Sequence, residues 1–283
     1  MRRIMPYLMR SRQQSVVNFQ QHFNLDRTML FVERWNAQHS DPITLFEIIV
    51  AACGRTLHER PGLNRFVSGG VIYQRRNVHV AFGAKKSFDD EAPLLMVKLE
   101  LRPNEDLAQT VRRMRDAIAE ARADHKRPLE REIRAFTSLP HWLLRGAVQV
   151  GTWMSSWNLL PDMLTRDDPM FSSLFLANLG GIGLDRAFHH LYEWGTASLF
   201  GVVGSIGKTA SVDADGRTAV HDGVDVGWTF DERIQDGFYC AESLAILRRY
   251  IEEPELLLTE RLAQPLEASR SEVSAPARAM LRS

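Results

Sequence analysis

The sequence predicts an α/β fold in which helices and strands mix without a strict alternation, and two observations carry that prediction. Apolar residues recur at helical spacing in some stretches and alternate with polar ones in others. Up to Arg122 the order reads helix, strand, helix, helix, hairpin, strand, helix. The second observation is a strand, charged loop and helix in succession near the end of the chain. Val224 to Phe230 alternates as a half-buried strand does, and Asp231 to Asp236 then places four charges in six positions. Phe238 to Tyr250 follows with Phe238, Ala241, Leu244, Ala245, Ile246 and Leu247 at helical spacing, with Gly237 at the bend. Charges at such a place must be solvated or paired, because an unpaired buried carboxylate is very costly.

Composition excludes several functions. The 283 residues carry 35 basic and 35 acidic side chains, so no basic footprint for nucleic acid is present. Cys53 and Cys240 lie far apart, with neither a disulfide framework nor zinc-ligand spacing, and a reducing cytoplasm is expected. Met1 to Pro6 has a basic end but no apolar core long enough for a signal peptide. Leu139 to Leu164 is interrupted by Arg145, Gln149, Ser155, Ser156 and Asn158, so neither a spanning helix nor membrane contact through 139–160 is expected.

In chain order, Met1 to Gln14 reads as a short basic helix with Ile4, Leu8 and Met9 on one side, and Val16 to Leu25 as an edge strand. Asp26 reads as the cap of a helix whose inner face is Met29, Leu30, Val32 and Trp35. Pro42 to Leu45 opens a strongly apolar helix, with Leu45, Ile48, Ile49, Ala52 and Leu57 facing the core; Pro61-Gly62-Leu63-Asn64 ends it. Val71 to Tyr73 and Val78 to Gly83 are expected as strands of a hairpin around Arg75-Arg76-Asn77. Leu94 to Leu101 is a further strand, and Leu107 to Arg122 a helix with Val111, Met114 and Ile118 inward. Residues 125–170 differ in kind: Leu139, Trp142, Leu143, Gly146, Val150, Trp153, Met154 and Trp157 mark one helical face, expected to pack on this domain or a neighbouring subunit, with a lid or tunnel wall for a long acyl chain as the other reading. Phe171 to Leu179 and Ser198 to Gly204 are strands. Gly204-Ser205-Ile206-Gly207-Lys208 lacks the spacing of a phosphate loop, so nucleotide binding is rejected. A turn is expected at 213–216, and a disordered tail at 263–283.

Five of these segments, in this order, resemble the catalytic domain of the 2-oxo acid dehydrogenase dihydrolipoamide acyltransferases, in the chloramphenicol acetyltransferase-like superfamily. They are Arg2-Arg3 through Met9, Gln14, Phe19 and Asp26; Pro61 to Asn64; Val78 to Gly83; Ala177-Asn178-Leu179-Gly180; and Asp231 to Gly237, laid on the family's Asp-His-Arg-x-x-Asp-Gly signature. The resemblance covers residues 1–258 apart from the long stretch at 125–170. It implies a two-layer α/β sandwich, a mixed sheet covered by helices, in one domain over 1–262 with 125–170 as an extended Trp-rich insertion. It also implies a homotrimer with an acyl-CoA channel between subunits. The residues after Leu258 favour a plain trimer over a large cage. In the family the signature histidine takes the proton of the attacking thiol, and a hydroxyl steadies the oxyanion. The second signature aspartate, here Asp236, is structural and is expected to pair with Arg2, or with Arg3 next.

Both chemical positions depart from that pattern: Glu232 stands at the histidine and Ala177 at the serine. A carboxylic acid ordinarily titrates about four pH units below a thiol, a mismatch of about 5.5 kcal/mol for proton transfer. An absent oxyanion donor removes another ~2.7–4 kcal/mol. Standard acyl transfer to lipoamide is therefore not expected. The candidate catalytic residues are Glu232, His190 as a relocated base, and Asn178. Asn18, Ala177 and His189 are candidate substrate contacts, and Asp236, Arg2 and Gly237 support the site. His189-His190 does not have the spacing of the superfamily's His-His-x-x-x-Asp-Gly motif, which leaves a polar cluster at a subunit interface as the other reading. Asp231, Glu232 and Asp236 have no His or Cys beside them, so no metal site is expected. A CoA thioester is the expected ligand, with no covalent cofactor and no lipoyl attachment site in this chain. The expectation is a divergent acyltransferase-like protein, or a non-catalytic trimeric scaffold or regulatory subunit.

Overall fold

A computed structural model describes residues 2–85, 94–123, 140–157, 159–212 and 215–258. The eight strands are β1 (Val16–Asn24), β2 (Arg65–Ser68), β3 (Val71–Gln74), β4 (Val78–Lys85), β5 (Leu94–Leu101), β6 (Leu174–Asn178), β7 (Leu199–Val212) and β8 (Thr218–Asp231). Six form one sheet in the order β1-β8-β7-β6-β4-β5, and β2 pairs with β3 apart from it. β4 and β6, and β6 and β7, run parallel while the other neighbours are antiparallel, so the sheet is mixed as expected.

The α-helices among the described residues are α1 (Met5–Leu8), α2 (Asp26–Gln38), α3 (Leu45–Glu59), α4 (Leu107–Ala123), α5 (His141–Ser156), α6 (Asp162–Thr165) and α7 (Gly237–Glu252). Strand alternation divides the sheet into two faces. Val80, Phe82, Leu174, Leu176, Leu199, Val226, Trp228 and Phe230 point into the main core, where they meet Ile48, Ile49, Val111, Met114 and Leu247 from the helices. Ala81, Phe175, Phe200 and Val202 point the other way, under Leu191. α3 is buried nearly throughout because it lies between the sheet and its neighbouring helices. Its start is fixed by a capping box: Thr44 Oγ1 accepts from Glu47 N–H while the Glu47 carboxylate accepts from Thr44 N–H at 2.8 Å.

On the second face the segment between β6 and β7 is laid directly on the strands. A Cβ on Gly227 would stand 2.3 Å from the Ala187 carbonyl oxygen, and one on Gly204 would stand 2.5 Å from the Arg186 nitrogen. Only glycine at these two positions admits backbone so close to the sheet.

Several expectations need correction. β3 does not form a hairpin with β4; it pairs with β2, an element too short to show in the pattern, and β4 pairs with β5 and β6. The helical start of the chain ends at Leu8, and Ile4 and Leu8 are exposed. Asp26 is the first residue of α2 rather than its cap, and its Oδ1 accepts from Asp222 N–H at 2.9 Å. In α2 Met29, Val32 and Trp35 pack against the core as expected, but Leu30 faces solvent, and Thr28 and Phe31 are the buried residues. In α7 the inward residues are Cys240, Ser243, Leu247, Tyr250 and Ile251; Phe238, Ala241 and Ala245 are exposed. No residue of α5 is buried, and Trp142, Val150 and Trp153 along it, with Trp157 just beyond, stand open to solvent, so that face does not pack on this chain's own core. The Gly204 to Lys208 stretch lies inside β7. The tail at 263–283, Leu139 and Asn158 lie outside the described residues, as do 213–214 of the expected turn, where Gly216 takes φ +79°. No helix among the described residues is long and apolar enough to cross a membrane.

Candidate functional site

β8 ends at Asp231, whose carboxylate is fully buried. Two residues on, Arg233 returns to it with both arms of its guanidinium: Nε donates to Oδ1 at 2.9 Å and Nη2 to Oδ2 at 2.7 Å. This is the bidentate geometry that makes an arginine–carboxylate pair strong. Arg233 Nη1 also donates to the Met9 carbonyl, tying the loop to the chain start. Arg12 is buried nearby and donates to the Ala197 carbonyl at 2.8 Å. Burial pushes its pKa down to about 10, while Asp231 pulls it back up. Two of the loop's four charges are thus spent on one another inside the protein.

Glu232 lies between them and faces the other way. Its N–H donates to the Ser15 carbonyl at 3.0 Å, and its half-buried side chain lines a cavity of about 720 Å³ between β1 and the start of α7. Val17, Phe19, Phe230 and Leu244 supply apolar wall. Arg2 and Asp236 also line it, and Arg2 Nη2 donates to Asp236 Oδ2 at 2.7 Å, which is the pairing the family resemblance implies. The other Asp236 oxygen accepts from Tyr239 N–H at 2.8 Å and caps α7. Gly237 is the first helical residue, and a Cβ there would meet nothing within 4 Å. The bend is therefore made by the capping aspartate, and the glycine leaves the cavity open.

Sequence reasoning missed Cys240 as a cavity residue. It is placed there by the turn of α7, and burial pushes its thiol pKa up to about 11, so it stays protonated and unreactive at neutral pH. Also missed was the Asp231–Arg233 pair, although a strand end that places charges two residues apart puts them on one side and gives a signal for it.

The remaining candidates lie elsewhere. Asn18 on β1 accepts at Oδ1 from Thr229 Oγ1 at 2.8 Å. Ala177 on β6 packs with Phe175 and Phe200 on the second face. Asn178 is exposed and turns the strand end by accepting from Gly181 N–H at 3.1 Å. His189 stacks flat on Phe200 with ring centroids 4.1 Å apart, and its Nδ1 donates to the His190 carbonyl at 2.7 Å. His190 is exposed, and Glu193 beyond it accepts from the Arg12 and Gln13 N–H groups. None of these five lines the Glu232 cavity, so a single chain does not bring Glu232 together with His190, Asn178 or Ala177. Among the described residues no group of three or more His, Cys, Asp and Glu is placed to hold a metal ion.

Comparison with known proteins bears on the fold. Residues 162–259 match the family of 2-oxoacid dehydrogenases acyltransferase (catalytic domain). No curated protein matches the chain. Among solved structures, a probable dihydrolipoamide acetyltransferase from Listeria monocytogenes superposes with a TM-score of 0.59 at 14% identity, covering 88% of this chain and 91% of that one. The dihydrolipoamide acetyltransferase of Azotobacter vinelandii gives 0.61 at 14% identity, with 90% and 91% covered. The cubic core of a pyruvate dehydrogenase multienzyme complex gives 0.61 at 12% identity, with 90% and 88% covered. At such identities the likeness establishes the fold, and the matched segment contains the Asp231 to Gly237 loop. Residues 162–259 thus match that acyltransferase catalytic domain by sequence, and over most of its length the chain shares the fold of these acetyltransferase cores.

Proposed function

We propose that this protein binds an acyl thioester, acyl-CoA or a close analogue, in the cavity beside Glu232, and that the histidine–serine acyl transfer of its relatives is lost from it. The observation that carries this reading is the make-up of the cavity. Its apolar walls suit an acyl chain, and its polar residues are a carboxylate at the histidine position and an aspartate already paired to Arg2. No imidazole or hydroxyl is among its described lining residues to deprotonate a thiol or hold an oxyanion, and the Cys240 thiol is kept neutral by burial.

A homotrimer, with the cavity completed by a second copy, belongs to the same reading. Supporting it, the far part of the β7–β8 ribbon extends past the last residue that β1 pairs, and it leaves Val212 and Val220 exposed. A CoA thioester is here a ligand or substrate rather than a resident cofactor, and two free buried cysteines fit a reducing cytoplasm. The second reading is a non-catalytic trimeric scaffold or regulatory subunit, favoured by the same exchange of both chemical residues for Glu232 and Ala177.

The test has two arms. Acetyl-CoA and longer acyl-CoAs should bind the intact protein saturably without turnover to a simple thiol. The double variant Glu232→His with Ala177→Ser should then regain measurable transfer. Transfer by the unaltered protein that Glu232→Gln abolishes would show that the chemistry is retained. Absence of binding by every thioester, with a stable protein partner recovered, would favour the scaffold.

A further inference from the structure

A second cavity, of about 420 Å³, opens at the other end of the sheet, where β4 and β5 meet the segment that follows α5. Five of its lining residues are Arg75, Arg76, His79, Lys98 and Arg166, and no carboxylate is among its described lining residues. It shares no lining residue with the Glu232 cavity.

The cations are held in place rather than neutralised. The Arg75 guanidinium sits 4.5 Å over the Phe66 ring and donates through Nη2 to the carbonyl and hydroxyl of Thr196, at 2.8 and 2.5 Å. Its Nε is buried with no hydrogen-bond partner. Burial, and then the charge of Arg12, pushes its pKa down to about 9. Lys98 donates to the carbonyls of Thr165, Arg166 and Asp168 at 3.0, 2.8 and 3.2 Å, and burial followed by Arg75 lowers its pKa to about 8. His79 is lowered by burial and then by Lys98. The carboxylates that face this group are Glu100, opposite His79 in the strand register, and Asp167 and Asp168. Asp168 is engaged, because its oxygens accept from Met170 N–H and from Trp194 Nε1. Among the described residues none of Arg75, Arg76, Lys98 and Arg166 forms a salt bridge.

Like charges gathered in a low-dielectric recess repel one another, and an anion is the partner that relieves the repulsion. A planar guanidinium is shaped for an oxyanion; the exposed Arg76 and Arg166 line the cavity beside Arg75, and the Phe66 and Phe171 rings offer apolar wall. We propose that this cavity binds a small organic oxyanion, a phosphate monoester or a carboxylate, that carries a compact aromatic or short apolar body. The proposal is independent of what occupies the Glu232 cavity.

Calorimetric titration of the intact protein at constant ionic strength tests it, with phenyl phosphate and benzoate as the two sources of oxyanion and phenol as the neutral control. Saturable binding of one ligand per chain is expected for phenyl phosphate or benzoate, the tighter of the two naming the head group, and none for phenol. Arg75→Gln, which keeps a donor for Thr196, should weaken binding about tenfold or more, as loss of a charged hydrogen-bond donor does. Arg76→Ser combined with Arg166→Ser removes two exposed side chains that the fold does not need, and should weaken it about threefold. Failure of both anions to saturate overturns the proposal, as does equal affinity in the unaltered protein and the exposed double variant.

Discussion

The two ends of the sheet are built on different electrostatic terms. Beside β1, the Glu232 cavity holds two carboxylates and one arginine; the arginine is paired with Asp236, and Glu232 is left as a single negative charge. Beside β5, Arg75 and Lys98 are held by a ring face, a hydroxyl and carbonyl oxygens, none of which cancels a unit charge. In the first region the ordering energy comes from pairs within the loop. In the second, hydrogen bonds satisfy geometry and leave a positive potential standing. A cavity walled mainly by apolar side chains selects its ligand chiefly by shape and apolar contact, whereas one lined by gathered cations selects by sign.

Substitutions at the β1 end should separate the pair that holds the loop from the residue that faces the cavity. The largest effect is expected at Asp231→Ala, which leaves the Arg233 guanidinium buried and unpaired; about 3–5 kcal/mol of stability should be lost, read from the denaturant midpoint. A loss below about 1 kcal/mol would mean that the loop is not anchored by this pair. Asp236→Ala removes the α7 cap and the exposed partner of Arg2, and about 1 kcal/mol should go. Asp236→Asn keeps a capping oxygen and should recover most of that in the same measurement. Glu232→Gln should stay within about 0.5 kcal/mol, because the side chain is half-buried at a cavity wall and enters no ion pair among the described residues.

At the β5 end the signature is in pH rather than in total stability. Lys98 titrates near 8 in the folded chain against 10.5 when unperturbed, so between these values the unfolded chain binds more protons and stability rises with pH. Below about pH 8 both states carry the proton and the cost of the buried charge is fully present. Thermal midpoints from pH 8 to 10.5 should therefore climb less steeply in Lys98→Met than in the unaltered protein. Identical slopes would remove Lys98 as a source of uncompensated charge.

The β1 end was largely legible in the sequence and the β5 end was not, for a physical reason. Asp231, Glu232, Arg233 and Asp236 are close in the chain, so a strand end, a charged loop and the helix after it can be read from spacing alone, and the resemblance supplied the Asp236–Arg2 pair. Arg75, Lys98, Arg166 and Thr196 come from separate segments that meet only when β4 and β5 pair and the residues before β6 fold over them. Periodicity located α3, α4 and α7 well, yet erred on faces: Phe238 and Leu30 share the spacing of core residues, and helical register alone does not fix which arc turns inward. The exposed tryptophans of the α5 region show the same limit, since apolar spacing reports a face without reporting what covers it.

We propose the cavity beside Glu232 as a thioester site from which the chemistry has gone. Titrating the intact protein with acyl-CoAs of increasing chain length, while assaying the same samples for transfer to a simple thiol, tests it most directly. Saturable binding that tightens with chain length, with no turnover, is expected. Affinity that is absent at every length, or turnover that disappears with Glu232→Gln, would contradict it.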